Sequence, residues 1–145
     1  MFKRILIPTD GSDLSRKAML YGVQLAKLAG ADAIALSVRP PYLVTSMDVV
    51  SVVGSQEDHE AEARAMADRA LTQARMGAEA AGVRIETVQE TNDQPFQAII
   101  DCALANRCDL IVMASHGRRG MSALLLGSET QKVLTHSAIP VLVYR

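Results

Sequence analysis

The sequence predicts a single α/β domain over residues 1–145, a doubly wound sheet of five parallel strands with helices on both faces. Three observations predict it. Short apolar runs alternate with helix-period stretches from one end of the chain to the other. The run Leu110–Ala114 is apolar throughout, as a strand covered on both faces must be. The 145 residues, 49% of them hydrophobic, suffice for one core and not for two ordinary domains. Right-handed crossovers and short connections then make the sheet doubly wound.

Each element follows from local signals. A first strand occupies residues 4–7 and stops at Pro8. A helix follows, with Ser12 as N-cap and Gly30 just past its end, and its expected apolar face is Leu14, Ala18, Tyr21, Leu25 and Leu28. Residues 33–38 form a second strand, ended by Pro40 and Pro41. Residues 39–56 are irregular yet carry Tyr42, Leu43, Val49, Val50, Val52 and Val53, so both a lid and an edge-packing loop are open readings. Residues 57–81 read as a long alanine-rich helix with Met66, Ala70, Ala74 and Ala78 on one face and its charges on a solvated outer face. Gly82 ends it, and a third strand is expected at residues 83–88. Pro95 opens a helix carrying Phe96, Ile99, Ile100, Ala103 and Leu104. After the fourth strand, a glycine-bearing loop over 115–126 leads to a helix at 128–137, and Pro140 precedes a last strand, Val141–Tyr144.

Composition excludes several functions. A net charge of −1 argues against a partner with a phosphate backbone, and 3% aromatics without tryptophan leave no base-stacking platform. The first apolar run is broken at Pro8, so no secretory leader is expected, and no run approaches the roughly 20 apolar residues of a membrane span. A soluble, cytoplasmic protein without membrane or nucleic-acid partners is therefore expected. Cys102 and Cys108 lie in no Cys-x-x-Cys pair and read as small buried hydrophobes.

In such sheets ligands bind beyond the carboxyl ends of the strands. Pro8, Thr9, Asp10, Gly11 and Ser12 follow strand one, and Val38 and Arg39 close strand two. Ser115, His116, Gly117, Arg118, Arg119 and Gly120 follow strand four, with Gly127, Ser128, Glu129 and Thr130 after them. Gly117 and Gly120 let backbone N–H groups approach an anion, and Gly127-Ser128 opens a helix whose free N–H groups favour a phosphate. Arg118 and Arg119 add two cations. The plainer readings are a turn with Ser128 as N-cap, Glu129 near the positive helix end, and two solvated arginines. His116 reads as a packed or hydrogen-bonded histidine, not a catalyst. Asp10 reads as a cap of the first helix, alone or with Ser12, with a ribose or Mg²⁺ role added. Neither GxxxxGK[ST] nor GxGxxG is present.

These segments resemble the universal stress proteins of the UspA type, and the likeness runs over the whole chain. Lys3 through Ser12 is similar to the family's first strand and aspartate loop, and Pro140 through Arg145 to its closing strand. ATP-binding members carry Gly-x2-Gly-x9-Gly-[Ser/Thr]. Gly117, nine residues, and Gly127-Ser128 match, while Ala114 stands at the first glycine. The resemblance implies strand order 3-2-1-4-5 and ATP, or AMP or ADP, as ligand, with Mg²⁺ or Mn²⁺ as the accompanying cation and no assigned metal ligands. It implies adenine near Val38, with Pro8, Thr9 and Asp10 beside the adenosine. Met113, Ala114, His116, Gly117, Arg118, Arg119 and Gly120 would wrap ribose and phosphates, and Gly127, Ser128, Glu129 and Thr130 would hold the phosphate tail. It also implies a homodimer through Val141–Tyr144 and a regulatory role in stress, with an unspecified downstream protein. Weak hydrolysis at most is expected, with no catalytic residue. The alternative is a dimeric interaction module that binds no nucleotide, for which Ala114 is the argument. A phosphoacceptor receiver is disfavoured, because Asp10 stands alone after strand one and strand three ends in Val88-Gln89-Glu90.

Overall fold

The computed structural model describes residues 1–42, 55–118 and 125–145. Its elements are β1 (Arg4–Pro8), α1 (Asp13–Ala29), β2 (Asp32–Arg39), α2 (Gln56–Ala81), β3 (Ile85–Thr91), α3 (Pro95–Ala105), β4 (Leu110–Ala114), α4 (Ser128–His136) and β5 (Val141–Tyr144). All strand pairs are parallel and the order is β3-β2-β1-β4-β5, as expected. The order reverses between β1 and β4, so a crevice opens beyond their carboxyl ends.

The pleat divides the core in two. Ile5, Ile7, Ala33, Ala35, Leu110 and Val112 face α1 and α2, burying Met19, Val23, Ala26, Leu71, Ala74 and Ala78. Leu6, Ile34, Leu36, Ile111 and Met113 face α3 and α4, with Ile99, Ala103 and Val133. Successive residues of one strand thus feed opposite cores, which is why the central strands read as continuous apolar runs.

Helix ends follow their capping residues. The Ser12 hydroxyl accepts the Ser15 N–H, and Gly30 ends α1 at φ 63°. Ser55 and Asp58 form a capping box on α2, and Gly82 ends it at φ 72°.

Three expectations shift. The buried face of α1 is Ser15, Ala18, Met19, Gly22, Val23 and Ala26, while Tyr21 is 46% and Leu28 85% exposed. Close packing decides this, since a Cβ on Gly22 would lie 2.8 Å from Ile7 Cδ1. The helix is rotated from the expected face, so that Met19 and Val23 fill the core beside Gly22, while Leu25 packs at its margin. In α3, Leu104 is likewise 58% exposed. Strand β3 starts at Ile85 and reaches Thr91, later than expected, because the Val83 N–H bonds the Ala78 carbonyl at 2.9 Å and belongs to the end of α2. Of the irregular stretch 39–56, residues 43–54 lie outside the described residues, and both readings of that loop with them.

Cys102 and Cys108 are buried and free, and burial pushes both thiols up to about 11. No helix among the described residues is long and apolar enough to cross a membrane.

Candidate functional site

The turn after β1 is built by its own side chains. Gly11 takes φ +78°, which allows the chain to reverse into α1. Asp10 Oδ1 accepts the Ser12 N–H at 2.9 Å, so Asp10 braces the turn while Ser12 caps the helix. Its other oxygen reaches across the crevice and accepts the Arg118 N–H at 3.0 Å. That bond ties the β1 turn to the loop after β4. Burial pushes the Asp10 carboxyl up, but hydrogen bonds from Ser12, Ser15 and the Arg118 backbone outweigh it and hold the group below the ordinary 3.8.

Gly117 is where the two turns meet. A Cβ there would collide with the Asp10 carboxylate, so only glycine permits this approach. Gly127 is confined as well: its N–H bonds Ser115 O at 2.7 Å, and an added Cβ would lie 3.2 Å from His116 Cα. Ala114, in contrast, is the last residue of β4, paired with Tyr144 and without positive φ. Glycine is not required at that position, so the departure from the family pattern has no backbone cost.

These turns border a cleft of about 810 Å³ at the carboxyl ends of β1, β2 and β4. Pro8, Thr9, Asp10, Val38, Met113, Ala114, His116, Gly117, Arg118, Gly127, Ser128, Glu129 and Thr130 all line it. Arg119 and Gly120 lie outside the described residues.

Several of these groups have structural duties. Gly127, not Ser128, is the N-cap of α4, and Ser128 is the first helical residue. The helix makes no side-chain cap bond, and its first N–H groups, on Ser128, Glu129 and Thr130, meet no acceptor among the described residues beside the cleft. Glu129 Oε2 accepts the Phe96 N–H at 2.8 Å, and Oε1 accepts from Lys132 Nζ at 3.0 Å. It therefore supplies the cap that Gln94 does not give α3. The buried Thr130 hydroxyl donates to Ala114 O at 3.0 Å. Thr9 Oγ1 pairs with Ser15 Oγ at 3.2 Å, and His116 Nδ1 lies 3.1 Å from Ser115 Oγ. The Arg118 guanidinium rests on α2, with Nη1 3.5 Å from Met66 Sδ.

Val38 contributes backbone. Leu36 O accepts the Thr9 N–H on the β1 side, whereas Arg39 O accepts the Asn92 N–H on the β3 side. Alternation along the strand turns the Val38 N–H and C=O toward β1 as well. But β1 pairing ends at Pro8↔Leu36. The Val38 pair therefore faces the gap beyond β1, with no partner among the described residues.

The sequence reading omitted one wall. Tyr42 and the α2 residues His59, Glu60, Ala63, Met66 and Ala67 also line the cleft. Their spacing is a helical stripe, but its polar members read as solvated. The rings of Tyr42 and His59 lie 5.8 Å apart. Among the described residues no three His, Cys, Asp or Glu side chains group as metal ligands.

Comparison with known proteins agrees with this architecture. A family model described as the universal stress protein family matches residues 1–145. Universal stress protein YxiE of Bacillus subtilis is 34% identical over 149 residues, covering 100% of both chains. The structure of universal stress protein UspA from Lactobacillus plantarum superposes with TM-score 0.79 at 27% identity, covering 99% of this chain and 97% of that one. A universal stress protein crystallised in complex with cAMP superposes with TM-score 0.75 at 25% identity, again covering 99% and 97%.

Proposed function

We propose that this chain, which belongs to the universal stress protein family, holds an adenine nucleotide in the cleft beyond β1 and β4 and serves as a nucleotide-loaded regulatory protein. One observation carries the proposal. A single cleft joins a backbone donor–acceptor couple at Val38 to the N-terminus of α4, neither of them partnered among the described residues. The first matches the edge of adenine, which presents a ring-nitrogen acceptor beside an amino donor. The second matches phosphate oxygens, through free N–H groups and the positive helix end. Asp10, Gly117 and Arg118 lie in the same cleft and suit the ribose and α-phosphate between them. The cAMP complex of a relative supports an adenine nucleotide as the ligand class.

ATP, ADP and AMP all satisfy these donors. An accompanying Mg²⁺ or Mn²⁺ would be held mainly by phosphate oxygens, since no three His, Cys, Asp or Glu side chains group as metal ligands among the described residues. Efficient hydrolysis is not part of the reading. Glu129 is engaged by Phe96 and Lys132, and Asp10 by Ser12 and Arg118, so both carboxylates carry structural hydrogen bonds. The reading extends to a homodimer formed by pairing of β5 edges, acting in the cytoplasm.

Calorimetry of the full chain with ATP, ADP, AMP and cAMP tests the reading. Saturable binding by the folded protein is expected. Gly127→Val should weaken it by about tenfold or more, because its side chain displaces Ser115 and His116 at the mouth of α4. A folded wild-type chain indifferent to all four nucleotides would leave the interaction-module reading in its place.

A further inference from the structure

The α2-facing side of β2 and β3 turns polar where it reaches the cleft. Ser37 pairs in register with Gln89, and Arg39 with Thr91. These positions share the face of Ala33, Ala35 and Ile85, which abuts α2, and Arg75 of α2 bonds Thr87 on it at 2.6 Å. Nothing in the adenine and phosphate contacts argued above uses this row.

Two of its donors, Arg39 Nε and Gln89 Nε2, are buried from solvent and meet no acceptor among the described residues. Among the described residues the Arg39 guanidinium bonds only Thr91 Oγ1, from Nη2 at 3.3 Å. Ser37 is 3% exposed, and its hydroxyl makes no bond to a described residue. Glu60 and Asp93 also line the cleft, but neither lies within ion-pair distance of Arg39. A buried donor left unmet is destabilising, and more so when it is charged. Two such donors on one face, one of them on a guanidinium that lines an open cleft, call for an acceptor that carries negative charge.

We propose that Ser37, Arg39 and Gln89 form an oxyanion site, for a carboxylate or phosphate group, on the α2 side of the cleft. It is separate from the α4 terminus, which lies on the opposite face of the sheet with α3. Ser37 and Arg39 line the cleft directly, so the anion enters through its mouth. Gln89 closes the site from the edge strand. The site stands on these donors alone and does not require the nucleotide reading.

The test observes the Arg39 side-chain Nε–H by ¹H–¹⁵N NMR in the full-length protein. Inorganic phosphate and acetate are titrated at constant ionic strength, followed by ATP and by adenosine. A saturable shift with phosphate or acetate identifies a free anion as occupant. A shift with ATP but not adenosine, and none with the free anions, identifies an anionic group of the nucleotide. Either outcome supports the site, and Gln89→Leu should then weaken that ligand by about tenfold, roughly one charge-assisted hydrogen bond. If no anion moves the signal, the proposal fails: the donors are then met by water or by a turned Gln89 amide. In the second case Gln89→Leu lowers stability equally in phosphate and in chloride. Nucleotide binding measured by calorimetry is a separate readout, so its failure is distinguishable from this one.

Discussion

Single residues join the two halves of the crevice. Asp10 is hydrogen-bonded on both oxygens, one to its own turn and one to a loop 108 residues away. Its folded pKa is depressed below 3.8, so the folded state favours the carboxylate. Such a group contributes stability that is fully present above its unfolded pKa and is lost as pH falls through the folded value. Asp10→Ala should therefore be less stable than wild type at neutral pH, by about 1–2 kcal/mol in urea denaturation. The difference should shrink as pH drops below 3.8. A gap that persists unchanged in acid would mean that packing, not the carboxylate, holds the turns together. The role of Asp10 was half legible in sequence. Its place after a strand marked it as a cap of the first helix, alone or with Ser12; Ser12 is that cap, Asp10 braces the turn instead, and the Arg118 partner comes from a distant loop.

At the level of elements, one carboxylate ties α4 to α3. The Phe96 N–H is an orphan donor in the first turn of α3, and Glu129 meets it across the cleft floor. The Phe96 ring adds contacts to the same helix, 5.3 Å from the His136 ring and 5.4 Å from Lys132 Nζ. Glu129→Ala should cost about 1 kcal/mol, as loss of an N-cap does. Hydrogen exchange should quicken at the start of α3 while β4 stays protected. Uniform loss of protection, without a local effect, would contradict the capping role. The sequence placed Glu129 beside the positive end of its own helix, whereas its acceptor duty serves a different one. The α1 face was misread for a related reason. Ala18 is inside as expected, but close approach to the sheet at Gly22 rotates the helix so that Met19 and Val23 are buried and Tyr21 and Leu28 are exposed.

For the whole molecule, the open question is the β5 edge. Ile111 N–H bonds Pro140 O and Ser115 N–H bonds Tyr144 O, so even-numbered carbonyls of this strand face β4. Val141 and Val143 therefore direct their backbone groups outward, along an edge of half-buried apolar residues. Val143→Pro removes one outward N–H and leaves the β4 ladder intact. If the proposed dimer forms through this edge, the variant should sediment as a monomer while binding nucleotide with wild-type affinity. A variant that stays dimeric would move the interface elsewhere, and a monomeric wild type would remove it.

By itself the sequence determined the alternation of strands and helices, the capped helix ends and the chemical character of each strand-end loop. These depend on period, on glycine and proline conformations and on hydrogen bonds within a few residues. Tertiary structure alone decided which loops share a cleft, which helix face is buried and which donors lack acceptors. Those properties arise from strand order and interatomic distance. Asp10 meeting Gly117, or Arg39 Nε and Gln89 Nε2 buried on one sheet face with no acceptor among the described residues, has no local signature in the chain.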